Sequence, residues 1–394
     1  MPQLLARRYD TQQPVEITWE GKPGEARLTK IIPANTAVAS QKLPWVAPGF
    51  VDLQVNGFGG IDFNQETLTI EGVEKVCRGL DPFGTTKLLP TCTTAGHELL
   101  FRSMTVMAEA HRKIPAVRRR MPGIHLEGPF IAPDDGPRGA HPREHVRPPN
   151  WAEFQKLQDA AEGLIKLVTL SPEYPEAIDF IRKAASSGVL VAIGHTQATS
   201  EQITAAVDAG ARLSTHLGNG AHAQLRRHPN YIWDQLAEDR LTASLIADGH
   251  HLSINVLKAM LRAKTTKRAI LVSDITGMAG MPVGVYHGPL GSVEVLEGGR
   301  LVVAGQRHLL AGAALPISIG VAHLVQNLEV PLVDAIAMVS QQPAAMIGLP
   351  INDLNVGDPA DLVVFDFPTA NDPLSVKDLI IHQTLLGGEV VFQR

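Results

Sequence analysis

Short apolar, β-branched runs that break off in Gly, Thr, His, Asp or Glu recur along the chain, each followed by a stretch of helical periodicity with its own start signal. Eight such runs are present: WVAPGFVDLQVNG from Trp45, TTKLLPTCT from Thr85, MPGIHLEGP from Met121, IKLVTLSPE from Ile165, GVLVAIGHT from Gly188, ARLSTHLGN from Ala211, LTASLIADGHH from Leu241 and AILVSDITG from Ala269. Helices are predicted between them, among them HELLFRSMTVMAEAHRK after the second run, SEQITAAVDAG capped by Ser200 after the fifth and SINVLKAMLRAK capped by Ser253 after the seventh. A strand that is apolar nearly throughout is buried on both faces. Eight of them alternating with helices therefore predict an α/β fold whose parallel sheet closes as a (β/α)8 TIM-like barrel. A doubly wound open sheet competes, but no GxGxxG follows the first strand, and polar strand ends recur on nearly every strand instead of at one switch point.

The two ends of the chain break this pattern. VEITW, ARLTKII, ADLVVFD and EVVFQ are short β-like runs separated by Gly, Pro and Asp. They predict one small β-sandwich domain built from both termini, residues 1–46 and 352–394, beside a catalytic barrel domain at residues 47–351. The run MPVGVYHGPLGSVEVLEGGRLVVAG after the eighth strand predicts a hairpin over the barrel mouth, and AALPISIGVAHLVQN and VDAIAMVSQQPAAMIG predict helices that return the chain to the sheet. A length of 394 residues fits one large domain plus something smaller.

Composition narrows the function. With 44% hydrophobic and 19% charged residues the chain can bury a large core. A net charge of -5 with mixed signs offers no basic stripe, which excludes nucleic acid as a partner. Cys77 and Cys92 are too few for a disulfide framework and lack CxxC spacing. The first residues contain no apolar signal segment, and no later run is long enough to cross a membrane, so the expectation is a cytoplasmic protein with no membrane partner.

Active sites of such barrels lie at the C-terminal strand ends. Those ends carry Asp52, Gln54 and Asn56 on the first strand, His125 and Glu127 on the third, His195 on the fifth, His216 on the sixth, Asp248 and His251 on the seventh and Asp274 on the eighth. Glu127, His195 and His216 form the His2Glu set that suits zinc or another divalent transition metal, with a position left open for catalysis. Asp274 closes the run LVSD on the strand that adjoins the first in a closed barrel, which makes it the candidate general base and acid. A lone strand-end histidine is more often structural; here two of them and a glutamate each end an apolar strand. Asp248 and Asp274 could also cap turns, His125 shares a face with Glu127 and can support it, and Asp52 reads equally well as a structural hydrogen-bonding residue. No GxSxG and no P-loop occur, so nucleophilic serine chemistry has no support and any phosphate would rest on backbone amides and arginines.

In order and spacing, PGFVDLQVNGFGG, HLEGPF, GHTQA, THLGN, IADGHH, LVSD and LAGAAL resemble the N-acetylglucosamine-6-phosphate deacetylase family of the amidohydrolase superfamily, from about Pro48 to Phe365. The run PAAMIGLPINDLNVGDPADLVVFD resembles the superfamily's return into its β-sandwich. The resemblance implies metal-dependent hydrolysis of the acetamide of N-acetylglucosamine 6-phosphate. It implies one divalent ion, Zn2+, on Glu127, His195 and His216, Asp274 as general base and acid, and His141 polarising the acetyl carbonyl. It further implies substrate contacts from His251, Asn219, Gly220 and the loop Leu310, Ala311 and Gly312, with Arg227 reaching the phosphate of a neighbouring subunit in a homodimer. Two departures stand out. Gln54 and Asn56 occupy positions where many superfamily members place HxH for a second metal, and TLSPE lacks the bridging lysine of dihydroorotase-like relatives, so a single metal is expected. After THL the segment GNGAHAQLRRHPNY differs from the usual family sequence, which leaves open N-acetylgalactosamine 6-phosphate, an unphosphorylated amino sugar, or another amidohydrolase reaction such as N-acyl amino acid deacylation. A non-catalytic binding protein on a retained barrel would require lost ligands.

Overall fold

The computed structural model describes residues 2–35, 42–288, 291–368 and 377–394; the remaining parts of the terminal segments, and Pro289 and Leu290 of the insert, lie outside the described residues. Strands Phe50–Val55, Thr85–Cys92, Ile124–Glu127, Ile165–Leu170, Leu190–Ile193, Leu213–Ser214, Thr242–Leu245 and Ala269–Leu271 lie side by side in chain order, every neighbouring pair parallel. This is the predicted eight-stranded α/β barrel. Low in its interior Leu53, Leu89, Leu167, Leu213, Ile246 and Ile270 form an apolar layer. The strand ends above that layer are polar, so the fold delivers its chemistry to one end.

The ring is closed indirectly. Between the first and eighth strands, the N–H groups of Val51 and Leu271 donate to the carbonyls of Val339 and Met338 at 2.7 and 2.9 Å, so the segment after helix Leu332–Ala337 stands in for a ladder. Higher in the same seam, Asp274 N–H donates to Gln54 O at 2.9 Å and Asn56 N–H to Ile275 O at 2.8 Å.

Both termini join in one small β domain, as their patterning predicts. Its seven strands are hydrogen-bonded in the order Glu389–Gln393, Ile380–Leu386, Leu362–Asp366, Trp45–Pro48, Gln3–Arg8, Pro14–Glu20 and Arg27–Pro33. Val15, Ile17 and Trp19 are the buried alternation of a half-covered strand. The run from Trp45, predicted as one barrel strand, is divided between the two sheets: Ala47 and Pro48 pair with Val363 and Leu362, and the barrel strand starts at Phe50. Gly49 makes the crossing possible, since a Cβ there would lie 2.3 Å from the Thr86 side chain.

Other differences are local. Thr199, not Ser200, caps helix Ser200–Ala209, in a reciprocal capping box with Gln202, while the Ser200 hydroxyl donates to Asp234 at 2.9 Å. Ser253 is the cap residue of Ile254–Lys264 by backbone position alone. The insert is a four-stranded antiparallel sheet, Gly284–Gly288, Gly291–Val295, Leu301–Val303 and Gln306–Leu310, where a single hairpin is predicted.

A buried ion pair ties barrel to β domain. Arg120, with no exposed surface, forks onto both Asp81 oxygens at 2.8 and 2.7 Å, and the Asp81 carbonyl accepts from Thr384 Oγ1 at 2.7 Å. Replacing Asp81 by Ala strands a buried guanidinium and should lower unfolding free energy by about 3–5 kcal/mol in urea titration. A loss below about 1 kcal/mol, the range of an exposed pair, would contradict this assignment.

Candidate active site

Glu127 ends the third strand, and His195 and His216 each stand two residues past the end of the fifth and sixth. All three are buried. Glu127 Oε1 lies 3.1 Å from His195 Nε2 and 2.9 Å from His216 Nε2, and the two Nε2 atoms are 3.1 Å apart. Just past the ladder the chain turns upward to aim these side chains. His195, His216 and Asp274 have φ values of 50, 28 and 53°, in the left-handed region that non-glycine residues rarely occupy and that concentrates at functional sites.

Each member is held from behind. His195 Nδ1–H donates to Pro137 O at 2.8 Å, leaving its Nε2 lone pair to face the cluster. His216 N–H donates to Ser244 Oγ at 2.7 Å, while its buried Nδ1 has no partner among the described residues. Below Glu127, His125 bonds Thr169 through Nε2 at 2.8 Å and approaches Thr91 through Nδ1 at 3.4 Å; burial lowers it to about 4, which keeps it neutral. His125 therefore braces the cluster from beneath.

His141 stands beside His195, ring centroids 4.3 Å apart, and can share a cation site with Glu127 and His195, their ligand atoms lying within 4.8 Å of one another. The Glu127–His195–His216 set is the tighter of the two. Thr94 N–H donates to His141 Nδ1 at 3.4 Å and the Thr94 hydroxyl lies 2.7 Å from the same atom, so the ring proton sits on Nε2. Burial, reinforced by His195, lowers His141 to about 3, so it is a neutral hydrogen-bond donor.

Asp274 closes the site from the eighth strand. Burial and the nearby Glu127 charge raise it to about 6, and Asn56 Nδ2 donates to its Oδ1 at 2.8 Å. For Glu127, burial pushes the carboxyl up, but the hydrogen bonds and charges of His195 and His216 outweigh it and hold the group well below the ordinary carboxylate range. For His216, burial opposes the charged form, yet the hydrogen bond to Glu127 and that carboxylate's charge raise it to about 9.

The remaining candidates are distributed around the mouth. His251 Nδ1 lies 2.7 Å from Asp248 Oδ2, and Asp248 Oδ1 accepts the N–H groups of His250 and His251, so Asp248 caps this turn and orients His251. Asn219 folds back on the His216 carbonyl through its N–H at 3.0 Å and its amide at 3.1 Å. Gly220, at φ 59°, passes so near the His195 ring that a Cβ would lie 2.7 Å from Nδ1. Leu310, Ala311 and Gly312 leave the insert and lead to Ala313, whose carbonyl accepts from Thr276 N–H at 3.0 Å, two residues beyond Asp274. Arg226 and Arg227 lie on an exposed turn and make no ion pair with a described residue. Thr94 and the Pro137 carbonyl are missed by sequence reading; the strand-end rule applied to TTKLLPTCTT would have found Thr94, whereas Pro137 offers only backbone.

Residues 45–391 match the model of the amidohydrolase family. N-acetylglucosamine-6-phosphate deacetylase of Bacillus subtilis (strain 168) is 32% identical over 80% of this chain and 79% of its own. N-acetylgalactosamine-6-phosphate deacetylase of Shewanella sp. (strain ANA-3) is 33% identical over 88% and 82%. Among solved structures, N-acetyl-D-glucosamine-6-phosphate deacetylase from Mycobacterium smegmatis superposes over the whole of both chains with a TM-score of 0.84 at 29% identity. A mutant of that enzyme, solved with N-acetyl-D-glucosamine-6-phosphate, gives 0.83 at 27%, again over the whole of both chains. The chain belongs to the amidohydrolase family, in its N-acetylglucosamine-6-phosphate deacetylase branch.

As an amidohydrolase the chain is a hydrolase of amide bonds in a metal-dependent family. The cluster fits a divalent ion. Ligands at 2.0–2.1 Å around a tetrahedral cation lie roughly 3.3 Å from one another, and the two nitrogens and the carboxylate oxygen are 2.9–3.1 Å apart. Two imidazole nitrogens this close repel unless positive charge sits between them. Without a cation that charge is the proton on His216, which at about 9 stays bound at neutral pH. Loading one equivalent of divalent ion into metal-stripped protein near pH 7.5 should therefore release about one proton per chain, read by potentiometric titration in weak buffer. Loading with no proton release would contradict the shared-proton description.

Proposed function

We propose that this amidohydrolase removes the acetyl group of N-acetylglucosamine 6-phosphate by hydrolysis, giving glucosamine 6-phosphate and acetate. The observation that carries the reading is the convergence of Glu127, His195 and His216 within 3.1 Å in a chain of this family, with Asp274 at the end of the eighth strand. Glu127, His195 and His216 would hold one Zn2+ ion, which when bound would lower the pKa of water and polarise a carbonyl. His141 presents its Nε2–H to the acetyl oxygen as negative charge develops there; a ring this hard to protonate gives a hydrogen bond without altering its charge. Asp274 accepts a proton from the attacking water as the new C–O bond forms. It passes that proton to the amide nitrogen as the C–N bond breaks, so hydroxyl ends on the acetyl carbon and hydrogen on the amine. A group raised to about 6 is ionised at neutral pH yet basic enough for both transfers.

His251, steadied by Asp248, the backbone at Asn219 and Gly220, and the loop at Leu310, Ala311 and Gly312 surround the sugar. Arg227 reaches the phosphate of a second copy, which makes the working form a homodimer. The exposure of Arg227 and its lack of an ion partner among the described residues support this use. Two free, buried cysteines, and no described helix long and apolar enough to cross a membrane, support a cytoplasmic location. A second reading, N-acetylgalactosamine 6-phosphate, is favoured by the Shewanella relative and by the altered segment after THL.

Asp274→Asn should keep the metal and lose turnover by about 10²–10⁴-fold; metal analysis with a single-turnover assay checks both, and activity within about tenfold of wild type contradicts the assignment. Across acetylated hexosamines, kcat/KM should be greatest for N-acetylglucosamine 6-phosphate, with the unphosphorylated sugar lower by about tenfold to hundredfold. Preference for the galacto epimer would select the second reading, and inactivity on every sugar would contradict both.

A further inference from the structure

Asp274 sits where the barrel is least regular. Its strand Ala269–Leu271 is short, its own backbone is left-handed, and the seam toward the first strand lacks a continuous ladder. Few bonds hold the peptides around it. Asp274 N–H reaches Gln54 O, Ser273 Oγ–H donates to the same carbonyl at 3.3 Å, and Ile275 N–H donates back to Ser273 Oγ at 3.4 Å. The remaining N–H of this segment, that of Ser273, donates at 3.2 Å to Oδ1 of Asp52, and the same oxygen accepts Gln54 N–H at 3.2 Å. One buried carboxyl oxygen thus bridges the N–H of the residue before Asp274 and the N–H of Gln54, the residue whose carbonyl accepts from Asp274.

An acid at this depth is a costly choice. Asp52 is 1% exposed, and burial pushes it up to about 7. Apolar packing would fill the volume at lower cost, but it would leave two buried N–H groups without an acceptor at a place where no neighbouring strand provides one. The side chain substitutes for the missing ladder. What it secures is the half-residue of chain from which the Asp274 carboxylate projects, whose only described side-chain partner is Asn56 on the same first strand.

We infer that Asp52 is a positioning residue for the reaction: its oxygen clamps Ser273 to the first strand and thereby sets where the Asp274 carboxylate stands relative to Glu127, His195 and His216. The inference rests on Asp274 being the general base. It distinguishes Asp52 from a residue that merely stabilises the barrel, because misplacing a base by about 1 Å can cost on the order of a hundredfold in rate while substrate still binds.

The test compares Asp52→Leu, which removes the acceptor, with Asp52→Asn, which keeps an oxygen at the same place, both loaded with zinc. Asp52→Leu should bind metal fully and keep KM within about threefold while kcat falls about 10–100-fold, and Asp52→Asn should recover kcat to within about threefold of wild type. A folded, metal-loaded Asp52→Leu protein with kcat near wild type overturns the proposal, as does an Asp52→Asn protein impaired as deeply as the leucine variant. If Asp52→Leu does not fold, Asp52→Thr, whose shorter hydroxyl withdraws from Ser273, takes its place with the same expected kcat loss and the same contrary result. Asp274→Asn in the same assay separates the two levels. If it remains active, the base assignment falls and the clamp with it; if it is inactive while Asp52→Leu turns over normally, the clamp alone falls.

Discussion

Two imidazole nitrogens 3.1 Å apart, both within 3.1 Å of one carboxylate oxygen and all buried, are the constraint around which this molecule is arranged. Such a group is stable only with positive charge at its centre, either a proton or a metal ion. The barrel supplies the three side chains from its third, fifth and sixth strands, and the loops are shaped to keep them there. Pro137 turns a carbonyl to His195, and Gly220 leaves the space that this approach needs. His125, Thr169 and Thr215 form a bonded polar layer beneath, with Thr169 and Thr215 hydroxyls 2.7 Å apart.

Asp274, the proposed general base, obeys a different logic. Asp274 is placed across a seam in which ordinary strand pairing is replaced by Met338 and Val339 below and by side chains and single backbone bonds above. Asn56 donates to Asp274 and the Gln54 carbonyl accepts from it, so the end of the first strand holds Asp274 in place. On the side of the barrel where chemistry does not occur, Lys87 pairs with Asp361 at 2.8 Å and Arg119 with Glu389 at 2.8 Å, binding the terminal sheet to the barrel.

The site was legible in the sequence to the extent that it consists of strand ends. Glu127, His195, His216 and Asp274 each terminate an apolar run, and periodicity alone locates them. The parts that escaped depend on contacts distant in the chain. Nothing local shows that Trp45–Pro48 pairs with Leu362–Asp366, because an apolar run reads alike in either sheet. The choice of Thr199 over Ser200 as cap turns on the reciprocal bond with Gln202, which stands three residues after Thr199, whereas the third residue after Ser200 is Ile203, which cannot make it. His141 is recognisable by resemblance, but its tautomer is set by Thr94, 47 residues earlier. Asp52 is ambiguous in sequence, since both a ligand-like and a structural acid can precede Gln54; the unladdered seam is what gives it a task.

Anomalous diffraction at the zinc edge, from crystals of zinc-loaded protein, locates the ion itself. One peak per chain is expected, about 2.0–2.2 Å from a Glu127 oxygen and from Nε2 of both His195 and His216. A peak bound by His141 in place of His216, or a second peak beside Gln54 and Asn56, would contradict this placement.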